Sequence, residues 1–137
     1  MSVHKCRPSP AHVDKRGHIT NLLTVPIQHV ALIHSLPGSI RGNHFHRTDS
    51  HYTYLVSGSA SYYQEATTRL AIDAMPGGDW LSDLETTDLL PGDMVYTPAG
   101  IAHTFLFREE SVFLAFTTES RVGGRYEKDT VPFILKP

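Results

Sequence analysis

Short stretches in which apolar and polar residues alternate, each closed by glycine or proline, run through most of the chain. Residues 18–25 predict a first strand, ended by Pro26, and residues 28–35 a second whose alternation is only partly kept, so that both faces are expected to be covered. Residues 40–46 form the next strand. In residues 51–56, His51, Thr53 and Leu55 share one face. Ser57-Gly58 is a turn into a hairpin partner over residues 59–64. Residues 93–96 and 104–107 are short strands, and residues 111–117 are nearly continuously apolar, which predicts burial on both faces.

Nothing in the sequence supports an amphipathic helix of four turns. Many short strands between Gly/Pro turns predict an all-β barrel or sandwich. Residues 1–17, polar and bearing Pro8 and Pro10, read as an N-terminal arm before one domain over residues 18–137. Residues 65–90 exceed what a hairpin needs. Met75-Pro76-Gly77-Gly78 marks a turn there, in an acidic segment expected to form an extra hairpin or a loop over the mouth of a site.

Composition narrows the function classes. A chain of 137 residues suits one domain that buries roughly two thirds of its unfolded surface. Its net charge of -2 and the lack of a Lys/Arg cluster argue against nucleic acid and against an anionic membrane surface, leaving a small molecule as the expected partner. The single cysteine, Cys6, has no internal disulfide partner. The N-terminus lacks the apolar core of a signal peptide and no apolar run approaches the roughly 18 residues of a span, so the cytoplasm is the expected location.

Histidine is where the chemistry concentrates. Of nine in the chain, three lie in Gly38-x5-His44-x-His46-x4-His51-x6-Gly58. Neutral imidazole is a good ligand for Zn, Fe, Ni or Cu. His44 and His46, two apart on a strand, point the same way. His51 is an odd number of residues further on. The turn formers Arg47-Thr48-Asp49-Ser50 can break the register and bring it back. A fourth ligand candidate, His103, follows the Pro98-Ala99-Gly100 turn after Gly92. His4, His12, His18, His29 and His34 lie outside these motifs and read as surface or structural residues.

The two stretches resemble the motifs of the cupin superfamily, Gly-x5-His-x-His-x3,4-Glu-x6-Gly and Gly-x5-Pro-x-Gly-x2-His-x3-Asn. Gly38, His44, His46 and Gly58 match the first, and Gly92, Pro98, Gly100 and His103 the second. His51 stands where the family carries Glu and Phe107 where it carries Asn. The resemblance implies a double-stranded β-helix, the cupin jelly-roll barrel, and a divalent transition metal (Zn, Fe, Ni, Mn or Co) held by His44, His46, His51 and His103. Four neutral ligands would leave the ion its full charge, which favours an anionic ligand, hydroxide or a developing enolate.

Arg41-Gly42-x-His44, with residues 48–52, 96–98, 112–116 and 126–131, is similar to the epimerases of nucleotide sugars and to related metal-binding cupins of surface-polysaccharide pathways. That likeness implies an isomerase or epimerase of a nucleotide-linked keto sugar, moving a proton beside a carbonyl. In the metal-free epimerases the base corresponds to His44. His46 stands where those enzymes commonly carry Gln, which favours His44 as a ligand and leaves the base unassigned. Arg41 is the candidate for a diphosphate, Tyr62 with Tyr63 for stacking on base or sugar, and Tyr96 a further substrate-binding candidate; Tyr52, Tyr54, Tyr62, Tyr96 and a metal-bound hydroxide are the open choices for the base. The alternatives are an Fe or Ni dioxygenase acting on a small molecule and a non-catalytic ligand-binding barrel. Exposed strand edges and the arm point to a homodimer, as does the resemblance.

Overall fold

Alternation along each strand sorts side chains to two sides, and in the computed structural model, which describes residues 3–73 and 84–135, it produces two facing sheets. In chain order the strands are β1 (His4–Cys6), β2 (His12–Asp14), β3 (Gly17–Ile19), β4 (His29–Ser35), β5 (Ile40–His46), β6 (His51–Ser57), β7 (Ala60–Glu65), β8 (Leu84–Leu89), β9 (Met94–Thr97), β10 (His103–Phe107), β11 (Ser111–Thr117) and β12 (Thr130–Pro132). The described helices are short: α1 (Arg69–Asp73) and α2 (Arg125–Asp129), with a 3-10 turn over Val122–Gly124. One sheet has the order β1-β9-β6-β11-β4, the other β12-β5-β10-β7-β8. Their pairings are all antiparallel. This is the expected jelly-roll barrel.

Leu55, Tyr62, Val95, Phe105, Phe107 and Phe113 meet between the sheets as the main core. Phe107, the departure from the second motif, packs there with its ring 5.2 Å from that of Phe113. Gly58 fixes the turn between β6 and β7. Its φ is +92°, and a Cβ there would lie 2.6 Å from the Glu110 carbonyl oxygen, so both the turn and the approach of the next loop require glycine.

Several expectations are corrected. The strand expected over 18–25 is confined to Gly17–Ile19, which pairs with His12–Asp14 in a separate hairpin. The arm, for its part, is tied to the first sheet. β1 pairs with β9, and Arg7 bonds both Asp93 (2.8 Å) and the Pro91 carbonyl (2.8 Å). The turn at residues 75–78 lies outside the described residues. β8, before the second motif, pairs with β7.

Neither 28–35 nor 111–117 is covered on both faces. β11 alternates buried with half-buried residues, and on β4 Val30 is 54% and Leu32 61% exposed. Register joins these outward residues into two rows across the first sheet. One runs Val30, Phe116, Tyr52, Tyr96 and His4, the other Leu32, Leu114, Tyr54, Met94 and Cys6, with Met94 itself buried. A solvated sheet face is ordinarily polar at such positions, and this one is largely apolar and aromatic.

Candidate functional site

Four histidines from three strands converge inside one part of the barrel. β5 carries His44 and His46, β10 carries His103 opposite His44, and β6 carries His51 opposite Thr97. Ring centroids are 4.6 Å apart for His44 and His46, 4.9 Å for His44 and His103, and 4.1 Å for His46 and His51, the last pair stacked.

A bulge sets the alignment. The pairing of β5 with β10 shifts between His103 and Thr104, leaving Asn43 as the extra residue with φ +54°. This allows Arg41 and His44, three apart, to lie opposite the inward-facing Phe105 and His103. Gly42 has φ +103°, and a Cβ there would be 2.8 Å from the His103 carbonyl oxygen. The glycine of the Arg-Gly-x-His stretch is what lets the two histidine strands close on each other.

The turn predicted to bring His51 back to the other histidines does so, and the C-terminal segment holds it in place. One carboxylate oxygen of Asp129 accepts bonds from the Thr48 amide and hydroxyl, both 2.9 Å, and the other from the Asp49 amide at 3.0 Å. Asp49 in turn is buried and fully engaged. Its Oδ2 accepts from His51 Nε2 at 2.9 Å, and its Oδ1 from the Thr118 amide, the Thr118 hydroxyl and the Glu119 amide. Burial alone would raise the Asp49 pKa. The bond and charge of His51, with the Glu119 amide, outweigh that and hold it below its ordinary value.

Hydrogen bonds also fix which ring nitrogen of His103 and of His46 keeps its lone pair. His103 Nδ1 lies 3.0 Å from the Ile101 carbonyl, which only accepts, so Nδ1 carries the proton and Nε2 the lone pair. Thr130 donates its hydroxyl to the Tyr126 carbonyl and therefore accepts from His46 Nδ1 at 3.2 Å. His46 Nε2 is left as a buried lone pair with no hydrogen-bond partner.

All three rings are held neutral. Burial, then the charges of His51 and Arg121, lower His44 to about 4. Burial, then His51 and His44, lower His46 to about 3, against the pull of Asp49 and Asp129. Burial foremost pushes His103 well below the usual range.

The ligand atoms of His44, His46 and His103 all lie within 4.8 Å of one another, and those of His46, Asp49 and His51 form a second such group. Neutral imidazoles and an orphaned buried lone pair are what a divalent transition metal requires, so the residues present fit such an ion. His51 shares a group with His46 and spends one nitrogen on Asp49.

The other sequence candidates are placed differently. Arg41 is exposed, with Nε on the Ser35 hydroxyl (2.8 Å) and one terminal nitrogen on the His34 carbonyl (2.9 Å). Tyr62 is fully buried. Its hydroxyl bonds Gln64 Oε1 at 2.8 Å and lies 2.7 Å from the Thr97 hydroxyl, and burial keeps its pKa above the ordinary value. Tyr96 lies in the outward row, 4.7 Å from the Tyr52 ring. Asp49, Thr130, Arg121 and Tyr126, which the sequence did not single out individually, border the cluster.

No protein-family model matches the sequence, and none of the curated proteins does. Solved structures do. A 3,4-ketoisomerase, QdtA of Thermoanaerobacterium thermosaccharolyticum in complex with TDP, superposes with a TM-score of 0.68 at 20% identity, covering 96% of this chain and 87% of that one. The dTDP-4-dehydrorhamnose 3,5-epimerase of Sulfolobus tokodaii gives 0.69 at 20% identity over 90% of this chain and 73% of the other. The TDP-fucose-3,4-ketoisomerase WlaRA of Campylobacter jejuni gives 0.71 at 14% identity, with 96% and 89% covered. At these identities the shared property is the fold. The chain has the cupin-type jelly-roll fold with a largely buried histidine cluster inside it, and among its described residues no helix is long and apolar enough to cross a membrane.

Proposed function

We propose that this protein is an isomerase or epimerase of a nucleotide-linked keto sugar, with His44, His46 and His103 holding a divalent transition metal. The observation that carries the reading is the cluster itself: three imidazoles kept neutral by burial, beside an aspartate-backed fourth, in a barrel shared with proteins described as sugar ketoisomerases and epimerases.

Bound there, a metal would supply Lewis-acid polarisation of a carbonyl oxygen. The chain's own residues do the rest. In neutral His51 the hydrogen bond to Asp49 keeps the ring proton on Nε2 and leaves Nδ1 as the lone pair, the form in which an imidazole takes a proton. The stack of His51 on His46 and the four bonds to Asp49 fix that ring before substrate arrives. Removal of a proton beside the carbonyl and its return at another carbon is the step this base serves.

Solvent exchange tests the proposal. In deuterium oxide the protein, as prepared and after chelation and reloading with Zn, Fe, Ni, Mn or Co, is expected to place deuterium beside the carbonyl of a TDP-4-keto-6-deoxy sugar, read by NMR. No incorporation in any of these forms would sink the enzymatic reading. Elemental analysis tests the metal separately, and failure of every reloaded sample to retain ion would reject it.

We further propose a homodimer formed through the outward rows of the first sheet, whose exposed Val30 and Leu32 continue a half-buried aromatic surface. Contiguous apolar surface of this kind marks an association site. Sedimentation at two chain masses is expected for the wild type and at one for Leu32→Lys. A wild type that sediments at one chain mass throughout excludes it.

A further inference from the structure

Beside the histidine cluster, between the 48–49 turn and the segment 119–129, lies a cavity of about 250 Å³. We propose that it is the subsite for the diphosphate of the substrate, with Arg121 as the principal contact and Arg125 and Lys128 at its rim, which rests on the reading of the protein as acting on a nucleotide sugar.

Three observations converge on an anion. Arg125, Lys128 and Arg121 line the cavity, and among the described residues none of them is in an ion pair. Two of the carboxylates in the same wall are already committed, Asp49 to His51 and two backbone amides and Asp129 to the 48–49 turn. Glu119 is the remaining acid there. Arg121 itself is held in a defined orientation, its guanidinium carbon 3.9 Å from the Tyr126 ring centroid, and its Nε is buried with no hydrogen-bond acceptor. An unsatisfied buried donor is costly, and a phosphate oxygen is the acceptor that matches a planar guanidinium fork.

Size and position fit a diphosphate rather than a whole nucleotide sugar. The volume falls below the roughly 300 Å³ at which complete small-molecule sites begin. The Tyr126 ring under Arg121 is 5.5 Å from the His46 ring, and Asp49, in the cavity wall, bonds His51. A diphosphate on Arg121 therefore leaves its sugar ring to extend toward the imidazoles. Arg41, the sequence candidate for this role, already has two of its donors on Ser35 and His34.

Titration calorimetry of the purified full chain with inorganic pyrophosphate and with thymidine diphosphate, on chelated samples so that the anion does not report on a bound metal, tests the subsite. Both probes are expected to bind, Arg121→Gln to weaken both by about tenfold or more, and Arg125→Gln/Lys128→Gln to weaken both less and flatten the salt dependence. Wild-type affinity in a folded Arg121→Gln overturns the subsite, as does a wild type that binds neither anion. Should Arg121→Gln not fold, unchanged affinity and salt dependence in the double variant overturn it instead. Pyrophosphate binding through Arg121 without deuterium exchange into any keto sugar would leave the subsite standing and reject the enzymatic reading. Full exchange with an unchanged KM in Arg121→Gln would reject the subsite alone.

Discussion

Replacing His46 by alanine is expected to abolish metal retention and to slow deuterium exchange by about a hundredfold or more, while the barrel stays folded. His46 is the one residue common to both ligand groups, and its ring stacks on the proposed base, His51. Its removal thus touches ion and base together. The fold should tolerate the change because the lost ring carries a buried nitrogen that no protein group satisfies, and its one bond, to Thr130, is long at 3.2 Å. Thr130→Ala is the matching control. It removes the acceptor that orients His46, together with the hydroxyl's bond to the Tyr126 carbonyl, and should weaken metal by about 10- to 100-fold without emptying the site. A full equivalent of metal in purified His46→Ala, by elemental analysis, would end the ligand assignment.

Acid should unfold the chelated protein well above the range in which ordinary carboxylates titrate. In the unfolded chain His44 and His46 have the ordinary value of 6.5, whereas in the native state they resist protonation down to about 4 and about 3. Below pH 6.5 the unfolded chain therefore binds more protons, and stability falls as pH drops until the native rings titrate as well. One unit is worth about 1.4 kcal/mol, so even with the His44 share discounted for solvent screening the two rings together cost several kcal/mol. His103 and Asp49, also lowered, act in the same direction. Thermal melts from pH 8 to pH 4 should show a continuous fall in Tm beginning near 6.5. A flat profile to pH 4.5 would mean that the rings are not desolvated as described.

Much of this site was legible because spacing in a β-strand is geometry. His44 and His46 share a face by their separation of two, and Arg47-Thr48-Asp49-Ser50 announced the break that returns His51 to them. The strands Ile40–His46, His51–Ser57 and Ala60–Glu65 lie where their alternation put them, whereas Leu84–Leu89 and Thr130–Pro132 were not foreseen. The N-terminal strands do not follow alternation, because three-residue segments such as His4–Cys6 are too short to show a period and are strands only by pairing with β9. Continuous apolar runs misled for a different reason. Residues 111–117 look buried on both faces, yet one face opens outward, and an unpartnered apolar face reads in sequence like a core one.

Arg121 escaped notice because its setting depends on Tyr126 five residues on, brought beneath it by the 3-10 turn over Val122–Gly124. Asp49 looked like one more turn former. Its role as the acceptor for His51 and the Thr118 and Glu119 amides exists only once β11 lies alongside β6.

The bulge at Asn43 makes the cluster depend on a count as well as on identities. Along β5 the stretch before Asn43 is registered against Phe105 and Leu106, and the stretch after it against His103 and β12. A deletion of that single codon would leave every histidine in the gene and still dismantle the site. Either His44 and His46 would turn away from the cavity, or Arg41 and Ile40 would exchange faces, since a slip of one residue inverts a strand. Inheritance of this site therefore constrains the length of β5 as strictly as the identity of its histidines.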